Sequence, residues 1–521
     1  MLTIIAFIPF VLLVLLIIFL KWPAIKVMPL VWFITLLIVL LFWKLSSILI
    51  LASFVKGVLL SLEIILIIFG AVWIIEIMQE KDKIKTIQSL LVSISPDIRI
   101  QGIFIAWLFG SLIEGIAGFG TPAALAAPLL VSLGFNPILS VVISLIANST
   151  AQSFGAVGTP VLFGLGKLGF DKLLLKQVYI ATAFLHLIAS IIIPISILYF
   201  IVSFYAKENK KKRIFEMIPF ALLSWLSFLV PYFLTAFFIG PELPSIIGAL
   251  TALLITGFAA HYKILVPKNL LSFNKKIKKD KISLKSVLFS AAPYLIIILL
   301  LSISRIIPYF QKTLSGISIE WGNIFNTSLN YEFLPVYTPS FYLIISAIIC
   351  LFLFNVEAKN VKVTLSRTFD KIKKPTITLI FALAFIQLII ISADNQLNLP
   401  GIHLVLAQFM GGLFKQFYIF IAPLIGVFGA FISGSNTLSN FLFGLVQYKI
   451  AISLGLSTIF ILALQVVGGA VGNAIALHDI LAASATVGIE NKEGFIIRKT
   501  ITVVILYSII ASLAAIILIN F

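Results

Sequence analysis

A single cysteine, Cys350, occurs in 521 residues. It lies in an apolar run, which excludes a disulfide framework and a zinc site built on cysteine ligands. No His pair or Cys set has metal or haem spacing, so no metal and no other cofactor is expected. There is no Walker A sequence, so ATP is not expected to drive this chain. Nor is there the nucleophile, metal set or paired carboxylates that a membrane-embedded enzyme would need. Charge is the other scarcity: Asp, Glu, Lys and Arg make up 11% of the chain, against roughly 25% in a soluble domain. A wetted surface cannot be built from so few.

Apolar residues fill that place, at 61% of the chain and a mean hydropathy of +1.18. A helix needs about 20 apolar residues to cross the hydrocarbon core. Such segments recur at 2–20, 27–43, 58–78, 177–204, 216–236, 245–261, 287–306, 340–354, 376–393, 417–432 and 501–520. The first lacks a basic n-region and a small-residue cleavage pattern, so it reads as a span and not a signal. The expectation is an all-α polytopic membrane protein with roughly 12–14 transmembrane helices, counting interrupted ones.

The net charge of +18 raises nucleic acid as a partner, and its location dismisses it. Segments 207–213, 263–285 and 356–374 carry +4, +7 and +4, together +15 of the +18. Basic clusters in short loops between spans mark the cytoplasmic side of a cell membrane. Segment 307–338 then falls outside. It holds Lys312, Glu320, Glu332 and the sequon Asn326-Thr327-Ser328.

Two regions do not read as simple spans. From Gly110 to Pro122 the chain has four glycines and a proline in one apolar stretch. From Gly429 to Asn440 glycines lead into a polar cluster. Each is followed by a second break, at 147–155 and at 468–473. Broken backbone at membrane depth survives only where protein or a wet cavity satisfies it. Gly110…Ile113-x-Gly115 matches Gly429…Ile432-x-Gly434, and Leu133-Gly134 matches Leu454-Gly455, at spacings of 319 and 321 residues. The connection 81–85 has three lysines and its counterpart 394–401 has none, so the two halves are expected to be inverted. Paired interrupted helices in inverted halves point to a midplane binding site. The predicted organisation is an N-terminal membrane half at 1–206 with the first motif at 110–160, connecting spans and basic loops at 207–285, and a C-terminal half at 286–521 with the second motif at 429–473.

Glu114 is the acid inside the first break, and an intramembrane carboxylate by default marks an ion or proton pathway. The alternative is a protonated acid that only fixes packing. Gly115, Gly118 and Gly120 can expose backbone N–H groups, with Thr121 as cap and Pro122 in the first turn of a half-helix whose N-terminus suits a carboxylate. Small residues also serve plain helix contact. Ser433, Ser435, Asn436, Thr437, Ser439 and Asn440 form the second set of candidate substrate-binding groups; helix glue is their other use. Asn148, Gln152 and Asn473 are weaker candidates. His478 and Asp479 could shuttle protons or sit at the headgroups. His186 is expected to be satisfied by a neighbour, and Glu63 to pair with Lys56.

The run Ser95-Pro-Asp97, Glu114-Gly-Ile-Ala-Gly-Phe-Gly-Thr-Pro122, Leu133-Gly-Phe-Asn-Pro137 and Ala147-Asn-Ser-Thr150 resembles the lactate permease family. So do Ile239-Gly-Pro-Glu-Leu-Pro244 and the segment Gly429 to Asn440. The resemblance covers most of the chain. It implies uptake of L-lactate or a related 2-hydroxy monocarboxylate such as glycolate, coupled to protons. The chain departs from the family in having Asn436 where an Asp is typical and Asn473 where a Lys is typical. The partners expected are therefore a small organic anion, protons and the lipid bilayer, with a homo-oligomer left open. A channel or facilitator without proton coupling is the alternative.

Overall fold

The computed structural model describes residues 2–20, 22–118, 121–273, 284–489 and 492–520. The N-terminal part holds α1 (Leu2–Val14), α2 (Ala24–Leu41), α3 (Ser47–Glu80), α4 (Lys83–Ile94), α5 (Ile98–Ile116), α6 (Thr121–Ser132), α7 (Pro137–Asn148), α8 (Gly155–Leu162), α9 (Lys172–Tyr205), α10 (Lys210–Phe238) and α11 (Pro244–His261). After the basic connection come α12 (Ala292–Ile306), α13 (Pro339–Leu353), α14 (Ala358–Ile391), α15 (Ile402–Phe414), α16 (Tyr418–Ser433), α17 (Asn436–Leu454), α18 (Thr458–Gly472), α19 (Leu477–Thr486) and α20 (Glu493–Asn520). A small antiparallel hairpin pairs Ile319 with Phe333 and Trp321 with Tyr331.

Among the described residues, ten helices are long and apolar enough to cross a membrane, or up to twelve if each bent pair counts as one span. That reaches only the lower bound of the expected twelve to fourteen. Each of the eleven apolar runs coincides with a helix. Two of them, at Leu2–Ile17 and Pro339–Leu353, are shorter than a full span.

The 34-residue helices α3 and α14 form the longest pairing. At one end Gly57 lies so close to α14 that an added Cβ would sit 2.7 Å from the Ala384 Cα. At the other, Glu76 pairs with Lys371 and Glu80 with Arg367 at 3.0 Å. The two helices are therefore antiparallel. Each is roughly 50 Å long, more than the ~30 Å core requires. This corrects the expectation for 356–374: it is not a loop but, from Ala358 on, the first half of α14. The buried Glu76 and the partly exposed Glu80 neutralise part of its lysine and arginine charge, which lets a basic stretch stay helical against α3.

The basic segments converge on one end of the bundle. Arg99, wholly buried, binds Asp97 through Nη2 at 2.6 Å and Nε at 3.0 Å. It also donates to the carbonyls of Arg213 and Asn269 at 2.8 and 2.9 Å. Lys81 donates to Asn355 O at 2.8 Å, and Lys83 stacks over Phe289 and Phe354. Tryptophan and loop contacts mark the opposite end: Trp43 Nε1 donates to Pro400 O, and Ser328 reaches Asp394. Helix α4 follows the basic end and α15 follows the opposite one, so the two halves enter the bundle from opposite sides.

Capping explains where the half-helices begin. Asn136 accepts from the N–H groups of Ile138 and Leu139 ahead of Pro137, an arrangement that starts α7. Ser435 accepts from Leu438 N and starts α17. Helix α7 and the segment 151–168 meet at a 54° bend.

Candidate functional site

Glu114, on the last turn of α5 and only 3% exposed, is the centre of the site. Its Oε2 accepts a 3.0 Å bond from Asn148 Nδ2 at the end of α7. Gly155 sits so close that any side chain there would run into the carboxylate. The backbone around it is tightly bent: Gly118 has φ +59°, and Ala156, Val157 and Gly158 follow one another at φ 43°, 56° and 77°. A left-handed β-branched residue such as Val157 is an outlier that the surrounding packing must hold. At Gly158 a Cβ would collide with Pro241 O, so only glycine fits.

The second half supplies the facing wall. Helix α16 ends at Gly434 with φ 66°, whose N–H donates to Ala430 O. Ser435, Asn436 and Thr437 then form the break and the first turn of α17. A cavity with about 20 Å³ of free space lies between the halves. Its lining includes Glu114, Gly118, Gln152, Gly434, Ser435, Asn436, Thr437 and Asn473. A water needs about 10–15 Å³, so one small body fits. Among the described residues, no Lys, Arg or His is in that lining.

The structure divides the polar candidates. Ser435, Asn436 and Thr437 share the cavity with Gly118, Gln152 and Asn473. Ser439 and Asn440 lie one turn deeper and do not line it. Ser439 Oγ donates to Gly426 O at 2.8 Å, and Asn440 Nδ2 donates to Pro160 O at 2.9 Å, tying α17 to α8. Ser433 bonds Gly429 O and Ser435 O. Gly115 packs against Ser245 and Ile246 of α11, which is helix contact. Gly120 lies outside the described residues. Thr121 is the first residue of α6, with Pro122 in its first turn as expected.

His478 is exposed and packs on Gly434, whereas Asp479 is 2% exposed and close enough to Glu114 for their charges to interact. His186 is buried between Ser153 Oγ at 2.7 Å and Tyr507 OH at 2.5 Å, satisfied by neighbours as expected. Glu63 pairs with Lys167 at 2.9 Å, not with Lys56; the broken segment after α8 carries Lys167 back across α3.

Two buried groups escaped sequence reading. Tyr418 OH donates to Gln447 Oε1 at 2.7 Å, and Gln447 Nε2 donates to Gln465 Oε1 at 2.7 Å. Gln465 Nε2 in turn reaches Ser439 Oγ at 3.0 Å and Asn440 Oδ1 at 3.3 Å. Arg305 binds Glu242 at 2.6 Å and Tyr337 O at 2.7 Å. The signal for both was available: isolated amides and charges in apolar helices are expensive and need partners.

Inverted pairs of broken helices around a buried carboxylate, carried by ten to twelve apolar spans, define a multi-pass membrane transport protein. The chain belongs to the L-lactate permease family, which matches residues 2–521. A Haemophilus influenzae protein provisionally named an L-lactate permease is 34% identical over 490 residues, 90% of this chain and 89% of the relative. The L-lactate permease of Bacillus subtilis is 28% identical over 84% of this chain and 81% of its own. The glycolate permease GlcA of Escherichia coli is 28% identical over 84% and 80%. The family is one of permeases, not enzymes. Among solved structures, the YdaH transporter of Alcanivorax borkumensis aligns over 86% of this chain and 84% of its own, at 15% identity and a TM-score of 0.40.

Proposed function

We propose that this permease takes up L-lactate or a related small 2-hydroxy monocarboxylate, such as glycolate, by proton symport through alternating access. The observation that carries the reading is the polar cavity shared by the two inverted breaks, with Glu114 in its wall. The N-terminal turn of α17 turns free N–H groups and partial positive charge toward the cavity, and these suit a carboxylate. The Ser435 and Thr437 hydroxyls and the Asn436 amide suit the carboxylate and 2-hydroxyl together. Relatives named for L-lactate and for glycolate share that substrate chemistry.

Glu114 is assigned the proton. Protonated from outside, it admits the substrate carboxylate without like-charge repulsion, and both leave inside once the two breaks open to that side. Asp479, buried nearby, is the second acid within electrostatic reach of that cycle. Counterflow in proteoliposomes with a panel of radiolabelled hydroxy acids tests substrate class, and an imposed pH gradient tests drive. Concentrative uptake under the gradient is expected. Equilibration with no accumulation would replace the symporter with a facilitator.

A further inference from the structure

Within the described residues, five amide atoms in and beside the cavity find no hydrogen-bond partner: four acceptors, Oε1 of Gln152 and Oδ1 of Asn148, Asn436 and Asn473, and one donor, Nδ2 of Asn436. All four side chains are at least nine-tenths buried, at 2, 5, 3 and 5% exposed. Gln152, Asn436 and Asn473 line the cavity itself. A buried acceptor without a donor bears its full desolvation cost, and native proteins rarely leave several together. Asn148 has already turned its NH₂ to Glu114, leaving its oxygen over. With four acceptors to one donor, the set suits a ligand that brings positive charge and leaves the Asn436 NH₂ for the substrate carboxylate.

Charge balance gives the same answer. With Glu114 protonated the described lining is neutral, and the substrate adds one negative charge to a buried site whose described residues include no Lys, Arg or His. An unpaired buried anion is strongly disfavoured. Neutral amide and hydroxyl oxygens are hard ligands that suit alkali cations over transition metals. A divalent ion would call for several carboxylates, and the lining has one. The free space is that of one water-sized body, enough for a small alkali ion but not for ion and substrate together, so the substrate enters only once the cavity widens.

We infer that this cavity binds one sodium ion through the amide oxygens of Gln152, Asn436 and Asn473, and that the ion travels with the substrate as its countercharge. The inference rests on the transport reading for the anion, but the ion site itself is separable from it. Thermal unfolding of the purified full-length protein is followed without substrate in sodium, potassium and choline chloride at equal ionic strength. The melting temperature is expected to climb saturably with sodium and to stay flat in choline. Asn473→Lys, which places an ammonium in the cavity, is expected to abolish the sodium-dependent rise. Should that variant not fold, Gln152→Leu is expected to weaken the rise several-fold. In proteoliposomes, L-lactate counterflow is expected to fall several-fold when choline replaces sodium. Equal melting temperatures in all three salts, or potassium stabilising as strongly as sodium, would overturn the sodium site. A sodium-dependent rise without counterflow of any hydroxy acid would keep the site and remove the transport reading.

Discussion

Glu114 has one oxygen on Asn148 and a glycine, Gly155, pressed against its carboxyl group. A glutamine has nearly the same shape and can keep a bond to Asn148 after that amide turns. Glu114→Gln therefore mimics the protonated acid permanently while leaving the packing intact. The variant is expected to exchange substrate across proteoliposomes at near-parental rates. It is also expected to lose accumulation under an imposed pH gradient, because no proton is carried. Accumulation equal to the parent would move the coupling role away from Glu114, and Asp479 is the buried acid that would inherit it. Glu114 was legible in the sequence because a carboxylate in an apolar run is costly wherever the fold takes it. Asp479 was weighed together with His478, and only the packing of α19 separates the exposed imidazole from the buried carboxyl.

Helix boundaries decide which polar side chains face the cavity. The sequence presents 433–440 as one polar cluster, and the reading of it as a single binding set fails at one point. Ser435 caps α17, so Ser435, Asn436 and Thr437 stay at the break while Ser439 and Asn440 fall a turn deeper, among the amides of Gln447 and Gln465. Those glutamines lie 18 residues apart, and no local pattern announces that they meet. The 356–374 stretch misled for a related reason: its lysines obscure the helical period, and the carboxylates that hold it against α3 come from Glu76 and Glu80, far away in sequence. Two outcomes follow from these elements. Gln465→Leu removes the donor to Ser439 Oγ and Asn440 Oδ1 and one acceptor of Gln447 Nε2, and should cost about 1–3 kcal/mol. The check is denaturant or thermal unfolding in detergent, and unchanged stability would mean that the amide chain is dispensable. Gly118→Ala forces a side chain into φ +59° at roughly 1–2 kcal/mol and sets its Cβ 2.9 Å from the Ala156 Cβ. Because both residues line the cavity, uptake is expected to drop at least several-fold in protein that still inserts and purifies. Parental initial rates would show that the two breaks need not approach this closely.

At the scale of the whole molecule, the charge asymmetry and the packing agree without having been derived from one another. Loop charge predicts that 207–213, 263–285 and 356–374 share the cytoplasmic side. Independently, Arg99 and Asp97 draw Arg213, Asn269 and Leu271 together, and Lys81 reaches Asn355. The antiparallel pair α3 and α14 then carries the chain to the other end, where Ser328 meets Asp394. A membrane potential and an anionic inner leaflet both favour keeping the basic end inside. Single cysteines introduced by Lys211→Cys, Lys362→Cys and Glu320→Cys on a Cys350→Ala background test this in intact cells. Positions 211 and 320 are exposed, so an impermeant maleimide discriminates by side and not by burial. Position 320 is expected to be labelled, and positions 211 and 362 to be labelled only after permeabilisation. Labelling of 211 in intact cells would invert the whole bundle. Because α4 and α15 leave opposite ends of the α3–α14 pair, that single result would also exchange the side from which each half enters the membrane.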